Sequence, residues 1–226
     1  MEISERQIIL ASGSPRRLEI MRAHGIDPEV IVPLVDEQEL TASLPAELLP
    51  EEVVQRLALH KAQAVFELAR DRGQALGWDR GWDRGQEPVP CPIPCPIPCP
   101  IILAADTIVY KEEVGVLGKP TDHADAVAML QALCNAKHQV ITGMAVIDTA
   151  TGHRSTLADV TTVHFGTYGL SEIEEYIARE PPFDKAGSYA IQGIWGKHVT
   201  ALDGDLENVI GLPYYRLSEL LNYLAV

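Results

Sequence analysis

A chain of 226 residues, 46% of them hydrophobic and 22% charged, has an ordinary globular composition and enough length to bury a sizeable core without disulfide staples. Its formal net charge of −14 argues against non-specific affinity for nucleic acid or anionic membrane, since both select basic surfaces. No apolar run approaches the roughly 18 residues of a membrane span, and residues 1–7 lack the basic and apolar regions of a secretory signal, so a cytoplasmic protein is expected.

Residues 7–11 (QIILA) read as a short buried strand. Ser12, Gly13 and Ser14 follow, and Pro15 opens a helix running to about His24, with Gly25 as its stop. Proline inside the start and glycine past the end is the usual asymmetry. A second strand is expected over residues 29–35, ending at Asp36 and Glu37. The strongest helical signal covers residues 50–70, where Val54, Leu57, Ala58, Val65, Leu68 and Ala69 keep helical spacing.

Residues 72–100 break the pattern. GWDR occurs at Gly77 and again at Gly81, CPIP occurs at Cys91 and Cys95, and Cys99-Pro100 begins a third copy. Prolines at alternate positions from Pro88 to Pro100 forbid helix and central strand and favour an extended chain. Cysteines four apart in such a chain lie about 12 Å from one another. That is too far to share one zinc at about 2.3 Å per sulfur. The tract reads as a surface insertion made by tandem duplication, dispensable for catalysis.

Residues 101–110 form an Ile-, Leu- and Val-rich strand that carries Ala104, Ala105, Asp106 and Thr107. After a break at Gly118-Lys119-Pro120, a helix over residues 122–134 starts at Asp122, a suitable N-cap. Strands over 138–148 and 155–165 flank a turn at Thr151-Gly152. Ser171 with Glu174 predicts a capping box for a helix ending near Glu180, where Pro181 and Pro182 stop it. A glycine-rich stretch, 186–196, precedes a short strand and a last helix over 213–224. Early alternation of strand and helix with a later hairpin predicts a mixed-sheet α/β fold.

Three segments carry chemistry. Ser12-Gly13-Ser14-Pro15-Arg16-Arg17 joins a strand to a helix start, where free N–H groups attract anions, and the two arginines add forked donors for phosphate oxygens. Asp106 is a carboxylate inside an apolar strand. It suits either a general base, a metal-linked carboxylate or a turn cap. In residues 183–193 (FDKAGSYAIQG), Gln192 donates and accepts at once, which matches a uracil or thymine edge with an N–H beside a carbonyl.

Taken in order, ASGSPRR at 11–17, AADTIV at 104–109, GKP at 118–120, HQVITG at 138–143, EPPFDKAGSYAIQG at 180–193 and NVIGLP at 208–213 make the chain similar to the Maf family of nucleotide pyrophosphatases. The resemblance spans nearly everything outside 72–100. SPRR, the ADT threonine and the IQG glutamine look like the branch acting on dTTP and UTP. The branch acting on 7-methyl-GTP differs there, for instance with Glu for the Gln.

The resemblance implies one domain with a mixed twisted β-sheet, flanking helices and two lobes around a nucleotide-binding cleft, as in inosine-triphosphate pyrophosphatases, and a homodimer. It implies Asp106 as the base activating water. Ser12, Arg16, Arg17, Lys61, Lys119 and Lys185 would hold the triphosphate, although Lys61 also fits a solvated helix lysine. Arg16, Thr107 and Gln192 would set base preference, and Mg²⁺ or Mn²⁺ would bridge carboxylates and phosphate, with Glu37 a candidate ligand. The alternatives are the same reaction on 7-methyl-GTP or another non-standard nucleotide, or a nucleotide-binding regulator of cell division with little turnover. The insertion, and Trp195 and Lys197 after the glutamine, depart from the family pattern and leave the pocket rim open.

Overall fold

The computed structural model describes residues 6–45, 47–75 and 99–222. Its elements run β1 (Ile8–Leu10), α1 (Pro15–Ala23), β2 (Glu29–Val30), α2 (Glu37–Ser43), α3 (Pro50–Ala75), β3 (Ile101–Lys111), β4 (Gly115–Leu117), α4 (His123–Leu133), β5 (Lys137–Asp148), β6 (Arg154–Phe165), α5 (Leu170–Arg179), β7 (Val199–Asp203), α6 (Leu206–Ile210) and α7 (Tyr214–Asn222). The strands form one seven-stranded mixed sheet in the order β2-β1-β3-β5-β6-β7, with β4 paired to β3. β1 runs parallel to β2 and to β3, and the other pairings are antiparallel. Among the described residues no helix is long and apolar enough to cross a membrane.

Side chains on a strand alternate between faces, and β3 shows why its run is apolar almost throughout. Ile101, Leu103 and Ala105 pack with Met21, Leu212 and Leu217 on the face covered by α1 and α7. Ile102 and Ala104 pack with Ala58, Ala62 and Val65 of α3 on the other. The same alternation sends Asp106 toward α3 and Thr107 toward α1 and α6. A third cluster, around Leu130, Phe165, Tyr176 and Trp195, builds the second lobe from α4, α5 and the glycine-rich stretch.

The gap between the lobes follows from strand lengths. β5 pairs along one edge of β3 from Ile101 to Tyr110. On the opposite edge β1 covers only Ile101–Leu103 and β4 only Val109–Lys111. Residues 104–108 therefore have no strand partner on that side, and the cleft opens there.

Several sequence expectations need correction. The second strand stops at Val30; Pro33 has no N–H to give a ladder, and after the Ile31 amide bonds the Leu10 carbonyl (3.1 Å) the chain leaves the sheet. The cap of α5 is Gly169, not Ser171: the carboxylate reaching back is that of Glu172, which accepts from the Gly169 amide at 3.0 Å, while Glu174 pairs with His123. The glycine-rich stretch forms two short 3₁₀ turns, Ala186–Ser188 and Ile194–His198. α3 runs on to Ala75, so residues 72–75 belong to it. Gly77 to Pro98, including Cys91 and Cys95, lie outside the described residues. Asp122 caps α4 as expected, accepting from the Asp125 amide at 2.9 Å.

The start of β3 is clasped by Arg6. Its guanidinium donates to both carboxylate oxygens of Asp148 (2.9 and 2.5 Å) and to the Cys99 carbonyl (2.8 Å). Burial alone would raise the Asp148 carboxyl; the Arg6 bonds overcome it and hold the pKa below its ordinary value.

Within the second lobe, buried His138 meets the Tyr189 hydroxyl at 2.8 Å and packs near Phe165. Burial, with Lys111 and His164 nearby, pushes its pKa down to about 4. An unfolded histidine titrates near 6.5, so below that pH the unfolded chain takes up a proton that the folded one refuses. Stability is expected to fall as pH drops from about 6.5 toward 4, by about 2 kcal/mol between pH 6.5 and 5 from this residue alone. Urea denaturation at the two pH values checks it: His138→Gln should remove that increment, and equal pH dependence in both proteins would refute it.

Candidate active site

All ten residues singled out from sequence, Ser12, Arg16, Arg17, Glu37, Lys61, Asp106, Thr107, Lys119, Lys185 and Gln192, line one cleft of about 360 Å³ at the unpaired edge of β3.

Its floor is an alternating ion cluster. Lys61 from α3 bonds the Asp106 carboxylate of β3 and reaches Glu37 Oε1 at 2.7 Å, while Lys119 holds Glu37 Oε2 at 2.5 Å. Burial pushes the Glu37 carboxyl up, but the hydrogen bonds from Lys119 and Lys61 outweigh it and bring its pKa down to about 2. Lys61 is 5% exposed, which removes the reading as a solvated helix lysine. Asp106 is mid-strand, so the turn-cap reading goes too.

Gly143 makes this meeting of helix and strand possible. It lies directly opposite Asp106 on β5, where a Cβ would stand 2.4 Å from the backbone carbon of Val54. Only glycine lets α3 lie this close to the sheet.

The SGSPRR segment supplies different groups. Ser12 Oγ accepts from the Ser14 amide (3.2 Å) and from Arg17 Nη1 (3.1 Å). With both lone pairs engaged, its O–H remains to donate to an incoming oxygen. Arg17 turns inward: besides Ser12 it donates to the Gly211 carbonyl (2.8 Å) and to Thr107 Oγ1 (3.2 Å). Burial lowers its pKa, and the opposing pull of the Asp106 and Glu37 carboxylates offsets only part of that. Arg16 is freer, 3.8 Å from Asp184. Asp184 also holds Lys185 at 2.6 Å, and that bond outweighs burial to keep the Asp184 carboxyl low.

The rest of the lining is mostly apolar, with Val32, Pro33 and Val35 from the chain after β2, and Val109, Tyr189 and Ile191 among others. None of these carried a signal of its own in sequence, since an isolated Val or Tyr reads as core. Gln192 is exposed, and its amide engages no described residue. Trp195 does not shape the rim: it is 1% exposed, inside the aromatic cluster beneath the loop. Lys197 points outward near Glu172.

For a divalent cation, the described residues hold no cluster of three or more His, Cys, Asp or Glu side chains. Mg²⁺ commonly keeps several waters and uses one or two carboxylates together with substrate phosphates. Glu37, a carboxylate on the cleft floor, fits that mode.

The sequence profile of the Maf-like protein family matches residues 7–224. The chain is 38% identical over 216 residues to a dTTP/UTP pyrophosphatase of Vibrio cholerae, covering 96% of this chain and 97% of that one. It is 39% identical over 212 residues to a dTTP/UTP pyrophosphatase of Bacillus cereus, with 94% and 92% covered. A solved nucleoside-triphosphatase / dITP/XTP pyrophosphatase from Mycobacterium abscessus aligns over 97% of this chain and 96% of its own, at 15% identity and a TM-score of 0.37, too loose a likeness to add to the fold described above. The chain belongs to the Maf-like family and is a hydrolase, a nucleoside triphosphate pyrophosphatase.

Proposed function

We propose that the substrates are dTTP and UTP, cleaved to the monophosphate and pyrophosphate. The observation that carries this reading is the lining of one cleft, which combines a carboxylate–lysine cluster, a hydroxyl donor and arginines with apolar walls and an unengaged glutamine amide. The names of the relatives support the same substrates.

In this reading Asp106 takes a proton from water as the water oxygen bonds to the α-phosphorus and the bond to the bridging oxygen breaks, releasing pyrophosphate. Lys61, Lys119 and Lys185 are held in place by Asp106, Glu37 and Asp184, and a triphosphate competes with those carboxylates for them. Fixed cations in a partly dry cleft stabilise charge as it develops on the leaving group. Ser12 donates to a phosphate oxygen. Arg16 reaches the substrate directly, while Arg17 braces Ser12 and Thr107 and contributes its positive field. Glu37 would hold a Mg²⁺ or Mn²⁺ ion, which when bound would neutralise phosphate charge.

Pyrophosphate release from a panel of UTP, dTTP, CTP, GTP and 7-methyl-GTP tests the proposal. UTP and dTTP should be turned over fastest; preference for a purine would overturn it. Gln192→Glu should cost UTP and dTTP at least about tenfold in kcat/KM, because a pyrimidine carbonyl would face a carboxylate in place of an N–H donor. Relative rates across the panel left unchanged would remove Gln192 from base reading.

A further inference from the structure

Behind Thr107 lies a run of hydrogen bonds whose direction can be worked out from its far end. Thr142 on β5 is fully buried, and its hydroxyl is 2.8 Å from the main-chain carbonyl of Asn208 in α6. A carbonyl only accepts, so the single hydroxyl hydrogen of Thr142 goes there. Thr142 Oγ1 is also 3.0 Å from Thr107 Oγ1. With its own hydrogen committed, Thr142 is the acceptor in that pair and Thr107 the donor. Thr107 in turn accepts from Arg17 Nη2 at 3.2 Å. The order is Arg17 to Thr107 to Thr142 to Asn208. Reversing it would leave a buried carbonyl without its donor.

The far end does not shift easily. Asn208 is fully buried, and its side-chain amide donates to the Val140 carbonyl (3.0 Å) and to Thr161 Oγ1 (2.9 Å). Asp205 caps α6 through the Glu207 and Asn208 amides. The acceptor that sets the polarity is therefore part of the framework.

We infer that Thr142, which lies outside the cleft lining, is a positioning residue for pyrimidine selectivity: by taking the Thr107 hydrogen it leaves Thr107 only a lone pair to offer the base. This rests on the dTTP/UTP reading above and on Thr107 facing the base. A lone pair suits the ring N–H of uracil or thymine, with the Gln192 NH₂ free for the neighbouring carbonyl. It opposes cytosine, whose ring nitrogen at the same position carries a lone pair of its own. A Thr107 hydroxyl released from Thr142 could rotate to donate and serve either base.

The test is kcat/KM for UTP and CTP in the wild type, Thr142→Val and Thr142→Ser. The wild type should prefer UTP. Thr142→Val should lower the UTP:CTP ratio about tenfold, the worth of one hydrogen bond, partly by raising turnover of CTP, which general loss of structure would not do. Thr142→Ser keeps the hydroxyl and should hold the ratio within about threefold of wild type. If Thr142→Val does not fold, Thr142→Cys, a weak acceptor of similar shape, should move the ratio in the same direction. Folded variants with an unmoved ratio, in an enzyme that prefers UTP, would overturn this inference alone. A wild type without that preference would overturn the dTTP/UTP reading and the inference with it.

Discussion

Asp106→Asn is expected to lower kcat by about 10²–10⁴-fold, the usual cost of losing a general base, with nucleotide affinity largely kept. The asparagine is isosteric, and Lys61 retains its second partner, Glu37, at 2.7 Å, so the cation cluster that would bind phosphate stays assembled. Steady-state kinetics with UTP, paired with calorimetric titration of a non-hydrolysable analogue, separates the two effects. A kcat within about threefold of wild type would show that another group takes the proton.

Gly143→Ala should damage both stability and turnover, although Gly143 is outside the cleft lining. The new methyl would sit 2.4–2.6 Å from backbone atoms of Val54 and Gln55, and backbone cannot swing aside as a long side chain would. Overpacking of this kind costs about 1–3 kcal/mol, at times more, and about 2–4 °C of Tm per kcal/mol for a chain of this size. The relief available is a shift of α3, and Lys61 is on α3. A displacement near 1 Å can cost about 100-fold in rate. Val54→Ala should not rescue the variant, because the clash is with main chain. A thermal melt and kcat/KM for UTP within experimental error of wild type would mean that α3 is not held against the sheet in this way.

The elements with long-range periodicity were legible in the chain: α3, the β5–β6 hairpin and the apolar run of β3. α2 was not, because Glu37–Ser43 has seven residues and no apolar stripe of its own. Val32, Leu34 and their neighbours alternate like a strand, yet Val32 and Leu34 are exposed beside the cleft. For α5, half of a capping box could be read from either Ser171 or Glu172. A glycine cap has no side chain to announce it, so the wrong pairing looked better.

The candidate site was legible as a set of residues but not as a mechanism. Lys61 shows the difference. It falls in line with Val54, Leu57, Ala58 and Val65 on the buried stripe of α3, and a lysine on such a stripe has to find carboxylates. That signal was available in the helix alone. The inward turn of Arg17 and the polarity of the Thr107–Thr142 pair were not, because their partners other than Ser12 lie 35 to 194 residues away. Only the packed sheet brings them within bonding distance.

The Arg6–Asp148 clasp also bears on how this protein changes over evolutionary time. It moors the chain at Cys99 and Pro100 to the residues before β1 and to the end of β5, so the entry to β3 has an anchor of its own. We therefore expect four-residue units added to or dropped from the interval between α3 and β3 to leave Tm and kcat/KM for UTP unchanged, and replacing residues 77–98 with a short Gly/Ser linker checks it. On that expectation, this interval is the place to graft a peptide tag or a reporter domain.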